Sequence, residues 1–264
     1  MLSSVFAIVI GLLVGFVILL ICNPSQALPG FVTILTGAFT HGLKGVGQVF
    51  YYATPIILTG LSVGFAFKTG LFNIGTPGQF IVGAFAAVYV GIMWTGLGRI
   101  QWAVALLAAI LGGALWGMVP GVLKACFNVN EVIASIMMNY IGMYMVNWIV
   151  KSYKPLFNNL RNESRNVAAT AQIPKMGMDK LFPESSVGGG ILLAVAAVLL
   201  IWVILNKTTF GYELKAVGFN RDAGRYAGIN EKRNIIMSMV IAGAIAGMAG
   251  GLLYLAGTGK HIEI

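Results

Sequence analysis

Seven stretches of this chain, at 4–22, 50–67, 80–95, 101–121, 131–150, 188–205 and 234–256, are apolar almost without interruption, and the only charged side chain inside them is Glu131. A helix needs about 20 such residues to cross the hydrocarbon core of a bilayer. Soluble domains carry roughly 25% charged residues, whereas here charged residues make up 9% of the chain and hydrophobic ones 58%. The solvent of this chain is therefore lipid. The expected fold is all-α, a polytopic integral membrane helix bundle of about seven transmembrane helices in one domain over 1–264. The first run follows only Met1–Ser4, without a basic leader, and reads as a retained span.

The third span is entered through "FKTGLFNIGTPGQF" (67–80), where Gly70, Gly75, Pro77 and Gly78 interrupt the helix and Asn73 and Gln79 carry amides to membrane depth. Lipid cannot satisfy irregular backbone, so such a segment must be buried in protein or line a wet cavity. One helix is thus expected to be broken near 70–79, on a route for solute. In the fifth span, Glu131, Ser135 and Asn139 recur every fourth residue along one helix face, just after Asn130. Polar groups there mark either a pathway or interhelical hydrogen bonds, and Glu131, near the span end, can instead cap the helix or snorkel to water. Asn73, Gln79, Asn130, Glu131, Ser135 and Asn139 form the candidate substrate pathway. Amides and hydroxyls with a single carboxylate suit a neutral, hydroxyl-rich solute better than an ion. Gly113, Gly117 and Gly121, and likewise Gly243, Gly247 and Gly251, are spaced for close helix packing.

Two polar loops, 151–187 and 206–233, lie on opposite membrane faces because one span separates them. Each holds six Lys or Arg and three Asp or Glu, so the bias of basic residues toward the inner face cannot orient the chain. The formal charge of +9 resides in such loops, where anionic headgroups are the ordinary partner, and nucleic acid is not expected. Within 206–233, "NRDAGRYAG" contains a small structured unit. Asn220 is a natural N-cap, Asp222 suits the positive helix end, and Gly228 can close the C-terminus. Ala223, Tyr226 and Ala227 then share one small apolar face, with Arg221 and Arg225 beside it.

Enzyme motifs are missing. "AGTGKH" would need glycine at Tyr254 and Ser or Thr at His261 to be a phosphate loop, and no H-E-x-x-H is present. The chain reads as a transport subunit without catalysis or cofactor. Cys22 and Cys126 end different spans on opposite faces, which excludes a disulfide between them.

Three ordered segments, "GLFNIGTPGQFIVGAFAAVYVG" (70–91), "NEVIASIMMNYI" (130–141) and "LKAVGFNRDAGRYAGINEKRNIIMSMVIAGAIAGMAGG" (214–251), resemble the permease subunits of bacterial nucleoside and simple-sugar ABC importers. Those belong to the group that includes the ribose and branched-chain amino acid permeases. The resemblance covers nearly all the chain except 151–187. It implies that 206–233 is a cytoplasmic coupling loop, with Gly218, Asn220, Arg221, Asp222, Ala223, Arg225, Tyr226, Ala227 and Gly228 meeting an ATP-binding cassette subunit. It also implies an external loop at 151–187, a second permease subunit, an external solute-binding protein, and a place in the bacterial cytoplasmic membrane. The wording of 72–79 and 130–133 is similar to the nucleoside and simple-sugar branch. Members of the family continue beyond "GTGKHIEI", so the chain resembles a C-terminally truncated permease. A secondary transporter, which would show an inverted repeat and an ion cage, and a membrane scaffold are the competing readings.

Overall fold

A computed structural model describes residues 2–263, with side chains from Val5 onward. Among these residues the long helices are α1 (Leu2–Cys22), α2 (Pro24–Thr40), α3 (Gly42–Lys68), α4 (Thr76–Met93), α5 (Gln101–Phe127) and α6 (Glu131–Ser152). After the loop come α7 (Met178–Leu181), α8 (Gly190–Lys207), α9 (Thr209–Phe219), α10 (Arg221–Tyr226) and α11 (Glu231–Tyr254). Seven described helices are long and apolar enough to cross a membrane, and each matches one expected span. The protein is a polytopic helical bundle.

Three boundaries differ from the sequence expectation. Residues 24–40, left outside the spans, form α2, which folds back on α1 so that the Phe16 and Phe31 rings meet at 4.8 Å. At 17 residues and a rise of about 1.5 Å each, it is shorter than the ~30 Å hydrocarbon core. Next, α3 begins at Gly42 and not near 50. Lys44 and Gln48 lowered the hydropathy of its first turns, and both reach the 151–187 loop, where Lys44 pairs with Glu184 at 3.2 Å and Gln48 accepts from the Ser186 amide. Last, the helix break is narrower than 70–79. Pro77 and Gly78 lie in the first turn of α4, where proline's missing N–H leaves nothing unsatisfied, so the interruption is confined to 69–75.

The bundle closes around α11. Gly113 and Gly243 sit backbone to backbone, and a Cβ on either would collide with the carbonyl of the other. Gly247 abuts the Ala109 carbonyl, and Gly83 of α4 abuts Gly247. Helices α4, α5 and α11 therefore meet without an intervening side-chain layer, the close approach that small residues permit in membranes. Outside this seam, Leu58, Phe65, Ala194, Ile201 and Leu214 join α3, α8 and α9 to the same core.

The 151–187 loop carries short regular structure of its own. A hairpin of two-residue strands, β1 (Phe157–Asn158) with β2 (Glu163–Ser164), is closed at its base by buried Leu156, whose carbonyl accepts from the Arg165 amide at 2.7 Å. The tail docks on it: the Ser164 amide donates to the Ile262 carbonyl and the Ile262 amide to Ser164 Oγ, both at 3.0 Å. Tyr51 is buried beside this tail, with its hydroxyl 3.0 Å from that of Thr258.

Candidate functional site

The interruption at 69–75 leaves backbone groups that the helices cannot satisfy, and two amide side chains, Asn73 and Asn139, take them up, with Gln79 bracing the first. Asn73 Oδ1 accepts from the Gly75 amide at 3.0 Å, and Asn73 and Gln79 face each other as a reciprocal amide pair, with bonds of 3.0 and 3.2 Å. Asn139 on α6 closes the other side. Its Oδ1 accepts from the Gly78 amide at 2.8 Å and its Nδ2 donates to the Ile74 carbonyl at 2.9 Å. Gly78 is one of the orphan donors of a helix N-terminus, so Asn139 works as a cap supplied from a neighbouring helix.

Of the six pathway candidates, the structure brings together four. Asn73, Gln79 and Ser135 are at most 2% exposed, and Asn139 lies beside them. A Cβ on Gly75 would touch Asn73, Gln79 and Ser135 within 3.3 Å, which shows how tightly they converge. Ser135 Oγ has no partner among the described residues. Glu131 and Asn130 stand apart, at the start of α6. Asn130 is its N-cap, accepting from the Val132 amide at 2.9 Å. Glu131 pairs with Lys124 of α5 at 2.8 Å, with both side chains largely buried, and Arg221 adds a second positive charge near the same carboxylate. Beside the break, a groove of about 480 Å³ is lined by Thr59, Phe67, Phe72, Asn73, Thr76 and Phe80. The Phe67 and Phe72 rings meet at 5.0 Å.

The polar loop folds as two helices where the sequence suggested one. Thr208 caps α9, accepting from the Gly211 amide at 3.0 Å. Asn220 then caps α10, accepting from the Ala223 amide at 3.1 Å, with Asp222 in the first turn. Gly228, at φ +78°, ends it with a paired closure: its amide donates to the Arg225 carbonyl and the Ile229 amide to the Gly224 carbonyl. That is the Schellman arrangement, which needs a residue in the left-handed region. Gly224 is the buried side of α10, against Val217, and Ala223, Tyr226 and Ala227 face outward with Arg225. Tyr226 is 94% exposed and Phe219, just before the cap, 91%.

Gly218, which the resemblance implied would meet the ATPase, is instead on α9 and packs inward against the break: a Cβ there would come within 2.6 Å of the Thr69 carbonyl carbon and 2.8 Å of the Gly70 amide nitrogen. Sequence reasoning missed this contact, the Lys124–Glu131 pair and the exposure of Phe219. Only Phe219 left a signal, as a large aromatic in a polar loop.

A polytopic bundle that keeps a cluster of amides beside an interrupted helix has the make-up of a solute-passing membrane protein. Residues 45–264 match the family described as branched-chain amino acid transport system / permease component, and the chain belongs to that family. It is the permease subunit of an ABC importer. Among its relatives is the guanosine ABC transporter permease protein NupP of Bacillus subtilis, 41% identical over 96% of this chain and 71% of that protein. The nucleoside ABC transporter permease protein NupB of Lactococcus lactis is 35% identical over 96% of this chain and 70% of its own length. A glucose ABC transporter permease protein of Haloferax volcanii is 32% identical over 86% of this chain and 60% of that protein. No solved structure matches the chain significantly.

Proposed function

We propose that this permease subunit carries nucleosides inward across a bacterial cytoplasmic membrane, driven by a separate ATP-binding subunit that docks on α10. The observation that carries the solute assignment is the 41% identity to a guanosine permease protein over nearly the whole chain. The groove supports it in chemistry and size. At about 480 Å³ it falls within the range of small-molecule sites, about 300–1,000 Å³, and Phe67, Phe72 and Phe80 offer aromatic faces to a base while the Thr59 and Thr76 hydroxyls, which donate to the Pro55 and Asn73 carbonyls, can accept from a ribose. Its neighbours Asn73, Gln79, Ser135 and Asn139 border the route. The outward face of α10, with exposed Phe219 and Tyr226 beside it, is the docking surface for the ATPase. A second permease subunit and an external solute-binding protein complete the assembly.

The assembled complex in proteoliposomes should take up labelled guanosine only with ATP, and guanosine should stimulate its ATP hydrolysis. Stimulation by simple sugars and not by nucleosides would replace the solute assignment. Uptake driven by an ion gradient without ATP would replace the docking assignment.

Orientation is separately testable, with 206–233 placed in the cytoplasm and 151–187 outside. Leu160 and Tyr212 are exposed at 95% and 70% and cap no helix, so cysteines there disturb little. With Cys22 and Cys126 replaced by serine, Leu160→Cys should react with a membrane-impermeant thiol reagent on intact cells and Tyr212→Cys should not. The opposite pattern would invert the topology.

A further inference from the structure

Glycine at 218 and glycine at 70 touch through backbone alone. Gly70 adopts φ +73°, which disfavours any side chain there, and a Cβ on Gly218 would press into the Thr69–Gly70 peptide. On each side the adjoining side chain seals the contact: Leu71, after Gly70, and Val217, before Gly218 on α9, are buried in one apolar cluster with Ile235 and Met239 of α11. The Thr69 and Ser238 hydroxyls bond to each other beside it. Above, Gly224 of α10 rests on Val217, and a Cβ there would stand 3.2 Å from Val217 Cγ2. On the far side the chain reaches Asn73 within three residues of Gly70, where the amide pair with Gln79 begins.

We propose that the Gly218–Gly70 contact is the joint through which α9 and α10 move the polar break, which makes Gly218 a positioning residue for transport. The proposal rests on α10 being the docking helix. Where two backbones meet with no side chain between them, no rotamer change can absorb a displacement, because packed interiors are dense and transmit strain. A shift of α9 is therefore passed through Gly70 and Leu71, whose amides close the end of α3 on the Phe67 and Ala66 carbonyls, to residues 73–75, which side-chain amides hold in place of a continuous helix. The other backbone contact of α9, Gly211 against the Ile204 carbonyl, joins it only to the adjoining α8, and Asn234 to Glu213 at 3.3 Å passes through side chains that can re-form.

The test is Gly218→Ala in the assembled complex, with Gly64→Ala as control, since a Cβ at Gly64 meets nothing within 4 Å. Gly218→Ala should keep the ATPase bound and its solute-independent hydrolysis intact, because α10 keeps both caps. Guanosine uptake and guanosine-stimulated hydrolysis should each fall by about tenfold, a loss of the size seen for residues on coupling networks. Normal uptake by Gly218→Ala would overturn the joint. In case that variant does not assemble, a second reading uses native glycines: Phe72→Cys, in the background lacking Cys22 and Cys126, should change its rate of thiol labelling when ATP and vanadate trap the complex. A rate indifferent to the nucleotide would also overturn the joint. Failure of the docking reading looks different, since charges placed on α10 would then leave ATPase binding untouched.

Discussion

Ala227→Asp should abolish association of the ATPase subunit while leaving membrane insertion intact. Ala227 follows the last turn of α10 and is exposed, as are Ala223 and Tyr226 on the same face. A short apolar face recognises a groove only by close approach. A carboxylate there must be stripped of water on docking, and an uncompensated buried charge costs about 3–5 kcal/mol. That corresponds to roughly a hundred- to a few-thousand-fold in affinity. The substitution also sets a negative charge against the negative end of α10, so helix loss has to be separated from face disruption. Ala223→Asp does this. It puts the same charge on the same face but in the first turn, where the helix dipole favours it, so loss of binding by both variants assigns the effect to the face. Co-purification of the ATPase from detergent extracts reads the result. Full binding by both variants would sink the docking assignment.

Asn139→Leu carries the second large expected effect. Spacing alone left open whether this amide lines a solute route or makes an interhelical hydrogen bond. The two bonds from Asn139 to the Gly78 amide and the Ile74 carbonyl give it a further task, because leucine would orphan both groups at membrane depth. Each unsatisfied buried group costs about 1–3 kcal/mol, and lipid offers no replacement partner. Asn139→Leu should thus lower the thermal unfolding midpoint of the purified complex as well as its uptake. An unchanged midpoint with uptake lost would leave Asn139 purely on the route. An unchanged midpoint with normal uptake would remove it from both roles.

The parts of the fold legible in the sequence are those whose cause is local. Hydrophobic length located all seven spans, and the caps of α10 followed from Asn220 and Gly228 because capping is decided within one turn of chain. Helix α2 escaped because its 17 residues mix Pro24, Gln26, Pro29 and Thr36 into an apolar background, below the threshold for a span and without the charges of a loop. Asn73, Gln79, Ser135 and Asn139 could be noticed as polar groups in the wrong solvent. Which of them would meet, and on whose backbone, depends on how α4 and α6 cross. The Gly70–Gly218 contact was illegible for a stronger reason: it joins residues distant in sequence and has no side chain to leave a pattern.

The glycine seam among α4, α5 and α11 has a consequence for which parts of the protein can move. Helices slide past one another by exchanging one side-chain interdigitation for another, and a seam built from carbonyls against Cα atoms has no alternative register to exchange into. These three helices therefore form a keel. By contrast, α6 meets α5 through the Trp116 ring, whose Nε1 donates to the Met138 carbonyl at 3.1 Å beside Gly142. A ring can rotate and find another carbonyl one turn away. If residues 73–79 border the solute route as proposed, the elements that would move against this frame are the 69–75 segment and α6, the latter pinned to it at one point, where Asn139 meets Gly78.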